Sequence, residues 1–337
     1  MHRHKLLLSA GCAMILSACG GGGGNPGSTG TSAPTQSSQL TAIGAANSTS
    51  AASNGYANGV LVSQTSTSVS GFVTGVSVEP VPTGVVTPVI DLMRRIYVPR
   101  ETDVLAGVTT SQPCGGGGTV TVDGSLHSQT AISNGDTLAI TANNCVENGQ
   151  LINGGLTIAI SGVSGDVPNG KAGSVTLATR FNNFRVGGGA LTGTLTGDMK
   201  IALTATNAAN ITLAISGSSL QLNEQRAGAT VATVTLTDYT VAGNINGTTS
   251  TSAASFSVAG NSSALGQFNY TVKNQQPLVY QGGASPVSGA FIVNGAGSSV
   301  TLTVLNGSSV KLDYSAKGDG TITQSKTLSW SEFLAAN

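Results

Sequence analysis

The chain has 337 residues, of which 8% are charged, with 14 Lys and Arg balanced by 14 Asp and Glu. That neutrality excludes recruitment of nucleic acid by a basic surface. The 47 glycines among abundant Ser, Thr and Asn suit the hydroxyl-rich exterior of an exported β-protein better than a cytosolic enzyme.

Met1-His2-Arg3-His4-Lys5 is followed by Leu6-Leu7-Leu8 and Ala13-Met14-Ile15-Leu16 without a charge, the layout of a secretory signal peptide over residues 1–18. The apolar run is shorter than the roughly 20 residues needed to span a bilayer. Leu16-Ser17-Ala18-Cys19 resembles the lipobox of bacterial lipoproteins, with Ser9-Ala10-Gly11-Cys12 a poorer competing site because Ser stands in the aliphatic position. The resemblance implies that Cys19 carries the lipid (diacylglycerol and palmitate-type chains) and becomes the first mature residue. Gly20 stands where Asp would favour inner-membrane retention, so the resemblance also implies attachment to the outer membrane. The membrane is then a partner through the N-terminal anchor.

Residues 19–58 contain no charge and little apolar sequence, opening with five glycines after Cys19. Such composition predicts a disordered tether, with an r.m.s. reach of about 35 Å. A β-domain is expected over residues 59–337. Inside it, Thr87-Pro88 followed by Val89, Leu92, Met93 and Ile96 predicts one short helix near residues 88–98, with Arg94 and Arg95 on its other face. Arg94, Arg95 and Arg100 offer an anion site, against which stands an ordinary solvated helix face.

Removal of Cys12 and acylation of Cys19 leave Cys114 and Cys145 as the only thiols in an oxidising compartment, which predicts a disulfide. Cys114-Gly115-Gly116-Gly117-Gly118 lacks the Lys-Ser/Thr of a phosphate loop and reads as a flexible loop beside that disulfide. Period-two patterns then recur, among them Leu138/Ile140, Leu156/Ile158/Ile160, Val175/Leu177, Ile211/Leu213/Ile215 and Val300/Leu302/Val304. Asn134-Gly135-Asp136, Asn153-Gly154-Gly155, Gly187-Gly188-Gly189, Asn246-Gly247 and Asn306-Gly307 supply turn chemistry between them. Gly217-Ser218-Ser219, Gly297-Ser298-Ser299 and Gly307-Ser308-Ser309 each read as a turn into a strand. The fold class expected is all-β: a large antiparallel meander of about a dozen strands, as a curved sheet or a sandwich.

Chemistry is sparse. His127 is the one mature histidine and reads as a solvated loop residue, and no nucleophile elbow accompanies it. Asp313, Ser315 and Asp319 resemble three positions of a degraded calcium loop, but Lys317 and Gln324 replace the acids that pattern requires, which favours a plain hairpin turn. No catalytic residue and no cofactor is expected. The reading is a non-enzymatic outer-membrane lipoprotein serving as a cell-surface structural or adhesive module. The alternative is a carrier that holds a hydrophobic ligand in the curved sheet, and a hydrolase stands third.

Overall fold

A strand with alternating apolar residues has one side to bury, and pairing such strands in chain order puts all those sides on one face. The computed structural model describes residues 39–74, 108–127, 132–147, 150–165, 171–188, 191–207, 209–282 and 285–336. The first strands among them are β1 (Val108–Pro113), β2 (Thr119–Ser125), β3 (Thr137–Glu147), β4 (Gln150–Gly165), β5 (Gly173–Gly188), β6 (Leu191–Asn207) and β7 (Asn210–Arg226). They continue with β8 (Ala229–Asn246), β9 (Thr249–Ser262), β10 (Gly266–Gln281), β11 (Ser288–Gly295), β12 (Ser298–Asn306), β13 (Ser309–Ser315) and β14 (Gln324–Ser329). Every strand is antiparallel to its predecessor in one curved, unclosed sheet whose edges are β1 and β14. A sandwich is thereby set aside in favour of the curved sheet.

Val120, Leu138, Ile140, Leu156, Ile158, Leu177, Ile201 and Leu302 all lie on the buried side. Thr141, Thr157, Ser161, Arg180, Lys200 and Thr204 face water. This polarity is the inverse of a lipid-spanning barrel, which carries its apolar band outside.

Register shifts bend the long strands at one level of the sheet. They fall at Ala142/Cys145, Asn153/Gly155, Phe181/Phe184 and Gly197/Lys200 on the four pairs from β3–β4 to β6–β7, and at Thr237/Thr240 on β8–β9. Asn144, Asn183 and Asp238 hold left-handed backbone there, which Asn and Asp tolerate better than other side-chain-bearing residues. A Cβ on Gly154 would stand 2.1 Å from the Asn183 carbonyl oxygen, so glycine alone permits that approach. Each bulge adds local bend and twist, and a row of them curls the sheet. Asn153-Gly154-Gly155, expected as a hairpin turn, is therefore a mid-strand bulge in β4. Gly217-Ser218-Ser219, expected as a turn into a strand, likewise lies inside β7. The Asn134, Asn246 and Asn306 segments do precede or connect strands as anticipated, and Gly187-Gly188 ends β5.

Against the apolar side of the sheet lies α1 (Ser48–Thr74), a helix absent from the sequence expectation. Gly55 faces Val293 and Val272, and Gly59 faces Phe256 and Ala254, so two glycines one turn apart bring the helix backbone close to β9–β11. Ala51, Ala52, Tyr56 and Val62 are buried. Asn58 donates to the Asn54 carbonyl at 2.8 Å, which satisfies a polar group the helix carries into the core. The helix also reaches β6, β8 and β12, and thus lies across the strands.

Ahead of it, residues 39–47 form a strap. Thr41 donates its N–H to the Asn269 carbonyl (2.8 Å) and accepts from the Ala296 N–H (3.1 Å), while Ile43 is buried. The tether expected through Asn58 thus gives way to folded structure over residues 39–58, because small residues packed tightly on a sheet bury surface that a count of large apolar residues misses. Residues 19–38, the signal peptide and the helix expected near residues 88–98 lie outside the described residues.

A second helix, α2 (Trp330–Leu334), closes the chain through a capping box between Ser329 and Glu332. The Ser329-x-x-Glu332 spacing was its available sequence signal.

Candidate functional site

The sheet offers three places for chemistry: its concave side, its convex bulge row and its edges. On the concave side Tyr56 is the hub of an aromatic cluster. Its ring centroid lies 5.2 Å from Trp330, 5.9 Å from Phe333 and 6.3 Å from Phe291. Burial, reinforced by the neighbouring Tyr280 hydroxyl, pushes the Tyr56 phenol far above its ordinary pKa, and burial raises Tyr280 as well. Between α1 and β9–β11 remains a cavity of about 20 Å³ bordered by Tyr56, Ala254, Phe256, Asn274, Leu278 and Tyr280. That volume admits about one water. A carrier pocket for a small molecule takes roughly 300 Å³ or more.

The Asn274 side chain explains the shape of this corner. Its carboxamide oxygen accepts from Ala254 N–H at 2.8 Å, and its amide donates to the Gln276 carbonyl at 3.1 Å, holding the irregular stretch of β10 before Pro277.

Along the convex bulge row the polar groups bind one another. Asp198 accepts from the Ser218 hydroxyl (2.6 Å), the Ser218 N–H (3.0 Å) and the Ser219 N–H (3.1 Å). Desolvation pushes this carboxyl upward, yet those donors together outweigh it and hold the pKa below the usual carboxylate value. The buried Tyr239 hydroxyl donates to the Asp198 carbonyl, crossing beneath Gly217. Thr196 donates to Asn183 and Asn153 to Asn144 across neighbouring strands. These contacts shape the sheet and use the polar atoms of the row.

The edges are both blunted. Pro113 ends β1, and Lys326 of β14 turns toward α1 to donate to the Thr49 hydroxyl. Proline and inward-directed charge both discourage pairing with another strand.

Cys114 and Cys145 are joined, with Cα atoms 5.4 Å apart and a sequence separation of 31. The bond ties the β1–β2 turn to β3. The glycine loop after Cys114 is held rather than loose: Gly116 donates to the Val146 carbonyl (2.9 Å) and Val146 donates to that of Gly117 (2.9 Å). A Cβ at Gly118 would collide with the Asn144 carbonyl oxygen at 1.9 Å, so the run of glycines permits docking.

His127 is 58% exposed at its side chain, yet its Nδ1 lies 2.8 Å from Asp136 Oδ1, and Asp136 is fully buried. Asp136 also accepts from the His127 and Ser133 N–H groups, so it organises the β2–β3 loop.

The calcium-like residues bond to one another and to their neighbours in the fold. Asp313 pairs with Lys311 at 2.9 Å and accepts from the Ser325 hydroxyl, while Asp319 accepts from the Thr321 N–H at 2.9 Å and from Ser315 at 3.4 Å. The Asp313 bonds lie in the β13–β14 ladder, and the Asp319 bonds shape the turn between those strands. No group of three or more His, Cys, Asp and Glu with metal-binding spacing occurs among the described residues. Cys19 and the Arg94, Arg95 and Arg100 group lie outside the described residues.

Tyr56, Asp198 and Tyr239 are the important residues sequence reading missed. Ser218-Ser219 and Asp198 are 20 positions apart, and only the pairing of β6 with β7 joins them.

The chain matches no protein-family model, and comparison with curated proteins and with solved structures likewise gives no match.

Proposed function

We propose that this chain is a non-enzymatic lipoprotein anchored to the outer membrane through Cys19, whose β-domain acts as a structural or adhesive module at the cell surface. One observation favours this reading over a hydrophobic carrier: the chain's own α1 packs on the apolar side of the sheet against β6, β8, β9, β11 and β12, and the cavity beside Tyr56 holds only about 20 Å³. An external partner must then be met on the outer face, which is neutral and rich in Thr, Ser and Asn. The carboxylates of Asp136, Asp198, Asp313, Asp319 and Glu332 each bond groups of their own fold, which supports a structural use for them.

Protease added to intact cells should remove the domain, and Cys19→Ser should release the protein from the membrane. Protection of the domain until the outer membrane is broken would overturn the surface assignment. Failure of the wild-type protein to incorporate labelled fatty acid would overturn the anchor.

A further inference from the structure

We infer that residues 39–47 form a peelable latch which, under tension from the N-terminal anchor, releases α1 before the sheet yields. Asn269 donates from its side chain to the Gln39 carbonyl (3.1 Å) and from its backbone to the Thr41 hydroxyl (3.0 Å), so the strap starts on β10. Thr41 then bonds Ala296 in the β11–β12 turn. Two residues later the Ile43 N–H donates to the Ser298 hydroxyl (2.7 Å), and the Tyr314 hydroxyl of β13 donates to the Ile43 carbonyl (3.0 Å). The strap therefore crosses the strand ends from β10 to β13. At Gly44–Ser48 the chain reverses, held by Asn47 accepting from the Gly44 N–H (2.7 Å), and α1 runs back under the same strands toward β9 and β8.

Tension applied at Gln39 meets these bonds one after another, whereas paired strands of 14 to 18 residues, as in β7–β10, share stress over many bonds. The seat of α1 is also less complete than the sheet. It rests on small residues, leaves the cavity beside Tyr56, and buries the Ser53 hydroxyl without a hydrogen-bond partner. Its withdrawal would uncover Phe256, Val272, Leu278, Phe291 and Val293, an apolar trough already shaped for a helix. The inference rests on the anchored-module reading for its biological setting, because an anchor and an external partner are what would supply the tension.

The test is single-molecule pulling of the mature, unacylated full chain, with handles at Cys19 and at Lys200→Cys on the exposed face of β6. Omitting the lipid separates this outcome from the anchor assignment, which stands or falls on fatty-acid labelling. A first extension of up to about 12 nm is expected from residues 39–74 at about 3.4 Å per residue, before any hairpin opens. An apolar fluorescent dye should bind after that step and not before. Thr41→Val and Tyr314→Phe, each deleting one strap bond conservatively, should shorten the lifetime of the first state about fivefold at constant force. Opening of sheet hairpins ahead of this step, or unchanged lifetimes in both variants, would overturn the latch.

Discussion

The two edges of the sheet are secured by different physics. At the β1–β3 edge the strands are short, the turn is built from glycines, and the Cys114–Cys145 bond ties turn to strand. At the β10–β14 edge no cysteine occurs; Tyr56, Phe291, Trp330 and Phe333 pack together and the strap crosses the strand ends. A covalent tie stabilises mainly by restricting the unfolded chain, whereas aromatic packing stabilises by burying surface in the folded one. The first edge is tied within a short stretch of chain, while the second depends on residues some 230 to 280 positions away reaching their places.

The largest effect should come from breaking the aromatic hub. Tyr56→Ala is expected to destabilise the domain by about 4 kcal/mol in urea denaturation, since it empties a buried site shared by two helices and β11. Hydrogen exchange should rise first in β10–β14. Equal loosening of β1–β3 would mean that the two edges are one cooperative unit.

Replacing Cys114 and Cys145 together by Ser should lower stability by up to about 3.7 kcal/mol in the chain-entropy picture. Here exchange should rise in β1–β3 while Tyr56 stays protected from solvent, judged by its ionisation. An unchanged urea midpoint would show that the glycine loop holds this edge without the bond.

A smaller, graded loss is expected in alkali, and it should spare the β1–β3 edge. Burial raises the pKa of Tyr56, Tyr239, Tyr270 and Tyr280, whereas strands β1 to β7 contain no tyrosine. Below about pH 10 both folded and unfolded chains keep these protons; above it the unfolded chain releases them first, so stability falls as pH rises. Urea midpoints measured from pH 8 upward should decline beyond pH 10, with exchange rising first around β9–β11. Four tyrosines that ionise near pH 10 without unfolding would contradict the burial described.

Gly154→Ala sharpens the comparison from between the edges. Its backbone φ of +93° and the 2.1 Å approach to Asn183 predict a loss of about 1 to 3 kcal/mol, and Gly154→Ala should not alter ionisation of Tyr56. Smallest of all, Lys200→Ala on the convex face should change stability by less than about 0.5 kcal/mol by thermal melting.

Strand existence was legible because an alternation such as Leu156, Ile158 and Ile160 is a local property: successive side chains point to opposite faces whatever the partner strand is. The disulfide was legible by counting, since the expected processing of Cys12 and Cys19 would leave only Cys114 and Cys145 to pair. Asn153-Gly154-Gly155 misled because positive φ serves turns and bulges alike, and only the length of the strands on either side separates the two. The helix α1 misled more. Its Ala, Ser, Gly and Asn residues resemble a linker, and their value lies in how closely they let one backbone approach β9–β11.

The sequence by itself determined the antiparallel, one-face-buried character of the chain, the Cys114–Cys145 pairing and most hairpin positions, because these follow from spacing, handedness of turns and thiol number. Tertiary structure alone decided that the sheet curls through a row of bulges and that residues 39–62 pack against it. Those outcomes depend on contacts such as Thr41 with Asn269 and Gly55 with Val293, whose partners lie more than 200 residues apart. No local pattern encodes such a partner, and the free energy of the packed helix exists only once the trough that receives it has formed.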